Sequence, residues 1–535
     1  MVFASLRRRE RYFVTKTKIM FHHPIAKLLR KAFLDSVKEN NEAHELFSKS
    51  RRKFLRDSTY TAGGIALVPS LLQSSLSKND FQNSNIAIVG AGIAGLNTCY
   101  QLKKHGIRST VYEASPRVGG RMFTMKDEFG KGITTDIGGE FVDTTHTEII
   151  QLMKEFGLSF YDLREDKLEA KELFFGGKSI TNNELKTAFA PFVGKLAADI
   201  KSLPEKISYK TADSFRQLDN QSIAEYILGI GINGWLYDFI NVVLTREYGM
   251  EITEQSAINF LIMFEQPKDS YYEMFGDDHE VMKIKGGSQH LTDTLYKKIQ
   301  ENVKLKHQLV GIHKKTSGYD LSFKNEDVAK TIHADYIVLA IPFSIVRALN
   351  LNIDMPPAKR KCIDEIGYGN SCKFIMGMNS KPWRSAGKQG YTFSDISFGC
   401  GWDSSQSQSI NEASFTVFAG GKFGDGIYEK SKEELIADFV PGLDIIYSGA
   451  KKSYTDKNIK YCWERNPHIR GGYSAFKKGQ WSTLAGWEAE PVGNIYFAGE
   501  HVSRDFQGYM NGGAQTGRVA AETIAAKILK KVTAE

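Results

Sequence analysis

Residues Gly90-Ala91-Gly92-Ile93-Ala94-Gly95 fit the pattern G-x-G-x-x-G. The chemistry this spacing serves is dinucleotide binding. The glycines allow a tight turn and a close backbone approach to a pyrophosphate, whose charge the N-terminus of a following helix stabilises. Glu113 lies about 20 residues further on, where a carboxylate can accept hydrogen bonds from a ribose. A second candidate is Lys373, set in "SCKFIMGM" between Cys372 and Phe374-Ile375-Met376. These apolar neighbours predict a buried strand, where a lysine without a partner would be costly, so a function is indicated.

The glycine pattern carries weight because of the elements around it. Ile86-Ala87-Ile88-Val89 is a short apolar run ending in glycine, as a buried parallel strand would be. Leu96, Cys99, Tyr100 and Leu102 recur at helical spacing up to His105-Gly106, and "RSTVYEAS" reads as a second strand ending on Glu113. Together they predict a βαβ unit. The stretch from about 146 to 280 is helix-like. Strand character returns in "VKLKHQLVGIHKKTSGYDLSF" and "ADYIVLAIPFSIV", then in a mixed region to about 485. "GNIYFAGEHVS" reads as a strand and turn, and "GAQTGRVAAETIAAKILKK" as a closing helix.

A chain of 535 residues exceeds one ordinary core. Its net charge of +8 invites a nucleic-acid reading. However, residues 1–56 hold 15 Lys/Arg against 5 Asp/Glu, so the remainder is slightly acidic and nucleic acid is not an expected partner. The basic leader, residues 1–79, contains "SRRKFLRDSTYTAGGIALVPSLLQ" with Arg51-Arg52. It resembles a bacterial twin-arginine signal, which exports folded proteins, and implies the twin-arginine machinery as a partner. The expected location is the periplasm, with the leader cleaved or kept as an anchor. The five cysteines are scattered without CxxC spacing, which predicts buried free thiols and neither a disulfide framework nor a metal site.

Three further stretches extend the pattern. "SPRVGGRMFT" directly follows Glu113, "TDIGGEFV" comes soon after, and "NIYFAGEHVSRDFQGYMNGGAQTGRVAAETI" stands near the C-terminus. With "KGGSQHLTDTL" and "YIVLAIPFSIV" they resemble the flavin amine oxidase family over residues 84 to about 530. The resemblance implies an α/β fold, with an FAD-binding Rossmann-like (GR2-type) domain and an interwoven α+β substrate-binding domain. The expected FAD part is 84–145, 278–346 and 487–535; the expected substrate part is 146–277 and 347–486. FAD would be held by Gly90, Gly92, Ile93, Ala94, Gly95, Glu113, Ala114, Arg117, Gly120, Arg121, Gly138, Gly139, Glu140, Val310, Gly499, Glu500, Tyr509 and Met510.

The same resemblance implies hydride transfer from the amine-bearing carbon to flavin N5, reoxidation by O₂ to H₂O₂, and hydrolysis of the imine to carbonyl and ammonia. Lys373 would hold a water at N5. Tyr473, in "RGGYSAF", would face Tyr509 as an aromatic cage. Mammalian monoamine oxidases carry a flavin-bonding Cys before the first cage tyrosine; Gly472 stands there in this chain, so non-covalent FAD is expected. L-Amino-acid oxidases of the family commonly place a carboxylate-binding Arg where this chain has Phe141. A primary amine is therefore the expected substrate. An L-amino acid is the alternative, should Arg347, Arg384 or Arg470 reach the pocket. An FAD-dependent desaturase and a non-catalytic FAD-binding protein are the remaining readings. Oligomeric state is not encoded in any motif.

Overall fold

The computed structural model describes residues 84–264, 281–325, 328–408 and 411–534. The leader, its two arginines and residues 265–280 of the expected helical region lie outside the described residues. No described helix is long and apolar enough to cross a membrane.

Strand β1 (Ile86–Val89) is buried at every position, which is why it reads as an unbroken apolar run rather than an alternating one. Helix α1 (Ile93–Lys104) follows directly, then β2 (Thr110–Tyr112). The chain returns to this sheet three more times, as β3 (Val303–Lys304), β4 (Tyr336–Leu339) and β5 (Ile495–Phe497). The order is β3-β2-β1-β4-β5, parallel throughout. The closing helix α2 (Met510–Ala534) lies along α1, where Asn97 Nδ2 donates to the Ala514 carbonyl at 2.7 Å and Thr98 Oγ1 to that of Gly517 at 3.0 Å. Leu96 and Leu102 are fully buried in the same cluster. Truncating either to alanine costs about 2–5 kcal/mol.

A seven-stranded sheet forms the second part. Its strands, in spatial order, are Tyr454–Cys462, Cys372–Met378, Ala413–Ala419, Cys400–Asp403, Lys388–Ser394, Glu169–Phe175 and Lys178–Ser179. The helix Gly234–Tyr248 packs against it within a large apolar cluster, which also holds Phe239, Val243, Phe260, Phe393 and Trp402. The strand Cys372–Met378 is buried along its whole length and delivers Lys373 to the boundary between the two parts.

Three expectations need correction. Residues after 145 do not leave the first part at once. The helix Thr147–Glu155 buries Ile149, Leu152 and Met153 in the α1 cluster, and Phe160–Asp162 pairs with Met282–Ile284. Residue 346 is also not a clean border. Asn350–Asn352 pairs in parallel with Gln308–Lys314, and Cys362, Ile363 and Ile366 sit in the same cluster as Val89 and Leu339. Finally, Cys372 stands directly opposite Cys462 on the neighbouring strand, Cα atoms 4.1 Å apart, and the two are disulfide-bonded. Ninety residues separate them, so strand register, invisible to Cys spacing, makes the pair. Cys99, Cys362 and Cys400 are buried free thiols as expected.

Candidate active site

A single long cavity runs from Glu113, at the end of β2, past the start of α1 to Lys373 and Tyr509. The N-terminus of α1 opens onto it. The N-cap is Gly92, no side chain caps the helix, and its first turn holds no acid, so the positive end of the helix dipole at the cavity suits an anion. Gly95 does not line the cavity. A methyl group on it would stand 1.9 Å from the Gly90 carbonyl oxygen, so its glycine is needed for helix and loop to meet. Glu113 accepts from the amides of Ala91 at 2.6 Å and Ser115 at 2.8 Å, fixing the carboxylate at the cavity's far end.

The second glycine pair docks on the first, with Gly119 N donating to the Ala91 carbonyl at 2.8 Å. Arg117 is spent on the turn itself, donating to the carbonyls of Val118 at 3.0 Å and Gly120 at 2.6 Å. Arg121 reaches across 379 positions of sequence to Glu500 Oε1 at 2.9 Å and also donates to the Gly472 carbonyl at 2.6 Å. Glu500 accepts further from Ser474 N at 3.1 Å, Ser474 Oγ at 2.8 Å and Gly508 N at 2.8 Å. Burial alone would raise its pKa, but the Arg121 guanidinium and these donors hold it below the ordinary value. Gly139 and Met510 are close neighbours, since a methyl on Gly139 would lie 2.9 Å from Met510 Cγ. Val310 departs from the pattern: its side chain is 41% exposed and Leu309 lines the cavity in its place.

Lys373 is buried and fully paired. Its Nζ donates to the carbonyls of Asp136 at 2.8 Å and Gly138 at 3.0 Å, and to Glu140 Oε2 at 3.1 Å. Glu140 thus acts on this lysine, and a second buried lysine, Lys283, sits 2.7 Å from its Oε1. Trp402 Nε1 donates to Glu140 Oε2 at 3.1 Å. Burial would raise the Glu140 carboxyl; Lys283 and then Lys373 outweigh it, so the pKa lies low and the carboxylate stays charged. An anion between two ammonium groups is the partner that makes a buried lysine tolerable.

Beyond Lys373 the cavity turns aromatic. Phe141 lies edge-on to Trp402 at 5.6 Å, and Tyr391 stacks on Trp402 at 5.5 Å. Tyr473 and Tyr509 are brought to the same cavity, and one helix end fastens both hydroxyls. Tyr473 OH donates to the Arg246 carbonyl at 2.5 Å, and Tyr509 OH to Glu247 Oε1 at 3.2 Å. The arginines proposed as carboxylate hooks lie elsewhere. Arg347 donates to the carbonyls of Ile363 and Ile366, Arg384 pairs with Asp166, and Arg470 is exposed outside the cavity. The site also uses Lys283, Tyr391, Trp402, Ser474, Arg246 and Glu247, which the motifs do not name. Only Arg246-Glu247 left a trace in the sequence, a charged pair in the last turn of a largely apolar helix before Gly249.

The family model of the flavin containing amine oxidoreductases matches residues 93–525. The chain belongs to this family. It is 25% identical over 467 residues to a flavin-containing amine oxidase of Oncorhynchus mykiss, spanning 82% of this chain and 85% of that protein. An L-amino-acid oxidase of Pseudechis australis is 23% identical over 495 residues, spanning 84% and 89%. Among solved structures, a putrescine oxidase variant superposes with a TM-score of 0.73 at 20% identity, covering 83% of this chain and 99% of that one. The cofactor of the family is FAD, and the cavity fits it. A glycine cradle and uncapped helix end suit a diphosphate, Glu113 suits a ribose, and the buried Glu500 lies where the glycine loop and the C-terminal segment converge.

Proposed function

We propose that this amine oxidoreductase oxidises a primary amine, an arylalkylamine by preference, to an imine that water converts to carbonyl and ammonia. FAD, when bound, would supply the two-electron acceptor, with O₂ as the final oxidant and H₂O₂ as its product. The protein's part is position and dryness. Phe141, Tyr391, Trp402 and Phe418 shape an apolar wall, Tyr473 and Tyr509 would flank the amine, and Lys373, fixed by Asp136, Gly138 and Glu140, would hold a water in the same cavity. The observation that carries the amine reading is the occupant of position 141. An aromatic ring stands there, and the cation beside it, Lys283 at 5.8 Å from the ring centroid, is already paired with Glu140, so a substrate carboxylate would be buried with no guanidinium to receive it.

A second reading, an L-amino-acid oxidase, is favoured by one residue. Arg246 lines the cavity and is buried, and burial holds its pKa below the usual value. Its guanidinium is turned along its own helix, however, donating to the Val242 carbonyl at 3.0 Å and lying over Phe423 at 5.1 Å. The matched pair tyramine and tyrosine separates the readings. Tyramine should have the higher kcat/KM; a higher value for tyrosine would transfer the assignment to amino-acid oxidation.

FAD is expected to be bound without a covalent link. No cysteine lines the cavity, and position 472 has no room for one, since a methyl there would fall 2.6 Å from Ser371 Cβ. Acid precipitation should therefore leave the yellow colour in the supernatant. Colour retained in the pellet would refute this.

A further inference from the structure

An amine reaches the enzyme mostly as an ammonium ion, because its pKa lies near 10, like that of a lysine side chain. It must lose a proton before the nitrogen lone pair can assist loss of hydride from the neighbouring carbon. A proton acceptor is needed at the cage, and Lys373, itself a donor with its contacts already made, does not supply one.

We propose that Glu247 is the residue that receives the substrate ammonium and takes its proton. In this step the N–H bond of R–NH₃⁺ breaks and an O–H bond forms on the Glu247 carboxylate. This leaves a neutral amine between Tyr473 and Tyr509 and a neutral carboxylic acid on Glu247. No electrons change hands. The inference rests on the amine reading above and assigns one residue within that site.

Three features of the structure carry it. Glu247 lines the cavity and is joined to a cage ring through Tyr509 OH. It lies in the last turn of the 15-residue helix Gly234–Tyr248, which ends at Gly249 in the left-handed conformation (φ 64°). The negative end of that helix dipole and the Arg246 carbonyl therefore face the cage together with the carboxyl, a setting that attracts a cation. The two tyrosine faces attract one as well. The groups around Glu247 are Tyr509, Tyr473, Tyr248, Asp143 with His146, and Arg246. Burial, with a smaller contribution from Asp143, pushes the Glu247 carboxyl up to about 8, close enough to an ammonium for efficient proton exchange. Lys283 and Lys373 belong to Glu140 and do not neutralise it.

The test is Glu247→Gln, which keeps an oxygen for Tyr509 but cannot take a proton. Anaerobic flavin reduction by 2-phenylethylamine would be followed across pH in both proteins. In the wild type the rate at limiting amine should fall only as pH drops below about 8, where Glu247 becomes protonated. In the variant the substrate must lose its proton before binding, so the limb should move up toward about 10. The deficit would be about a hundredfold at pH 8 and only a few-fold at pH 10. Binding of benzyltrimethylammonium, which carries charge but no proton, should weaken by about thirtyfold at pH 9, read from the flavin absorption. A pH-independent loss, or an unmoved limb with unchanged cation binding, would overturn the assignment. If no amine reduces the wild-type flavin, the amine reading fails and takes this inference with it; reduced wild-type flavin with an unaltered variant removes Glu247 alone.

Discussion

Replacing Lys373 with methionine is expected to slow flavin reduction or reoxidation by about 10²–10³-fold while leaving FAD bound, the usual effect of deleting one preorganised polar group. Methionine matches the length and flexibility of the lysine stem, so the buried strand Cys372–Met378 keeps its packing. The charge it removes is not the only one on Glu140. Lys283 remains 2.7 Å away and spares that carboxylate from isolation, which is why the variant should fold and retain its cofactor cavity. What is lost is an ammonium fixed by Asp136, Gly138 and Glu140 at the cavity wall. For Lys373 to hold a water as well, one of these three contacts must be shared with it, since an ammonium has only three donors. Stopped-flow measurement of reduction under nitrogen and of reoxidation by O₂ identifies the affected step. Turnover near that of the wild type would reduce Lys373 to a purely structural partner of Glu140.

Glu500→Ala should have its main effect on the cofactor and the fold. The wild-type carboxylate joins Arg121 from the second glycine motif, Ser474 beside Tyr473 and Gly508 before the closing helix. Alanine leaves the part-exposed Arg121 without its carboxylate and the donors on Ser474 and Gly508 without their acceptor, and each buried donor left unsatisfied costs about 1–3 kcal/mol. The purified variant should show a sharply reduced flavin-to-protein absorbance ratio and a lower unfolding midpoint. Full flavin content would show that the convergence of these segments does not hold FAD. The pH dependence has a definite sign. Because folding lowers the Glu500 pKa, its contribution is complete above the ordinary glutamate value, about 4.3, and disappears as pH falls through the lower folded value. The stability difference between wild type and variant should therefore narrow only in acid.

Much of the nucleotide-binding half can be read from the chain because its signals are local. Strand β1, the glycine turn, helix α1 and Glu113 lie within 28 residues, Ile86 to Glu113, and each is dictated by neighbours: an apolar run, a missing Cβ, a period of 3.6. Lys373 also announces itself locally, since charge inside "CKFIM" is anomalous whatever the rest of the chain does.

What the sequence could not supply is every feature created by register between distant strands. Glu140 reads as one more residue of a cofactor motif, yet the fold makes it the shared anion of Lys283 and Lys373, 143 and 233 positions away by number. Cys372 and Cys462 look like unrelated thiols until antiparallel pairing sets them face to face. Arg246 and Glu247 appear as the tail of an ordinary helix, and only the arrival of Tyr473 and Tyr509 at its carboxyl end makes them part of the cavity wall. Composition and spacing encode which residues prefer burial or a turn. Which buried charge meets which is settled by how the two halves pack, because in a low-dielectric interior each ion must find its partner in space, however far apart the two stand in the chain.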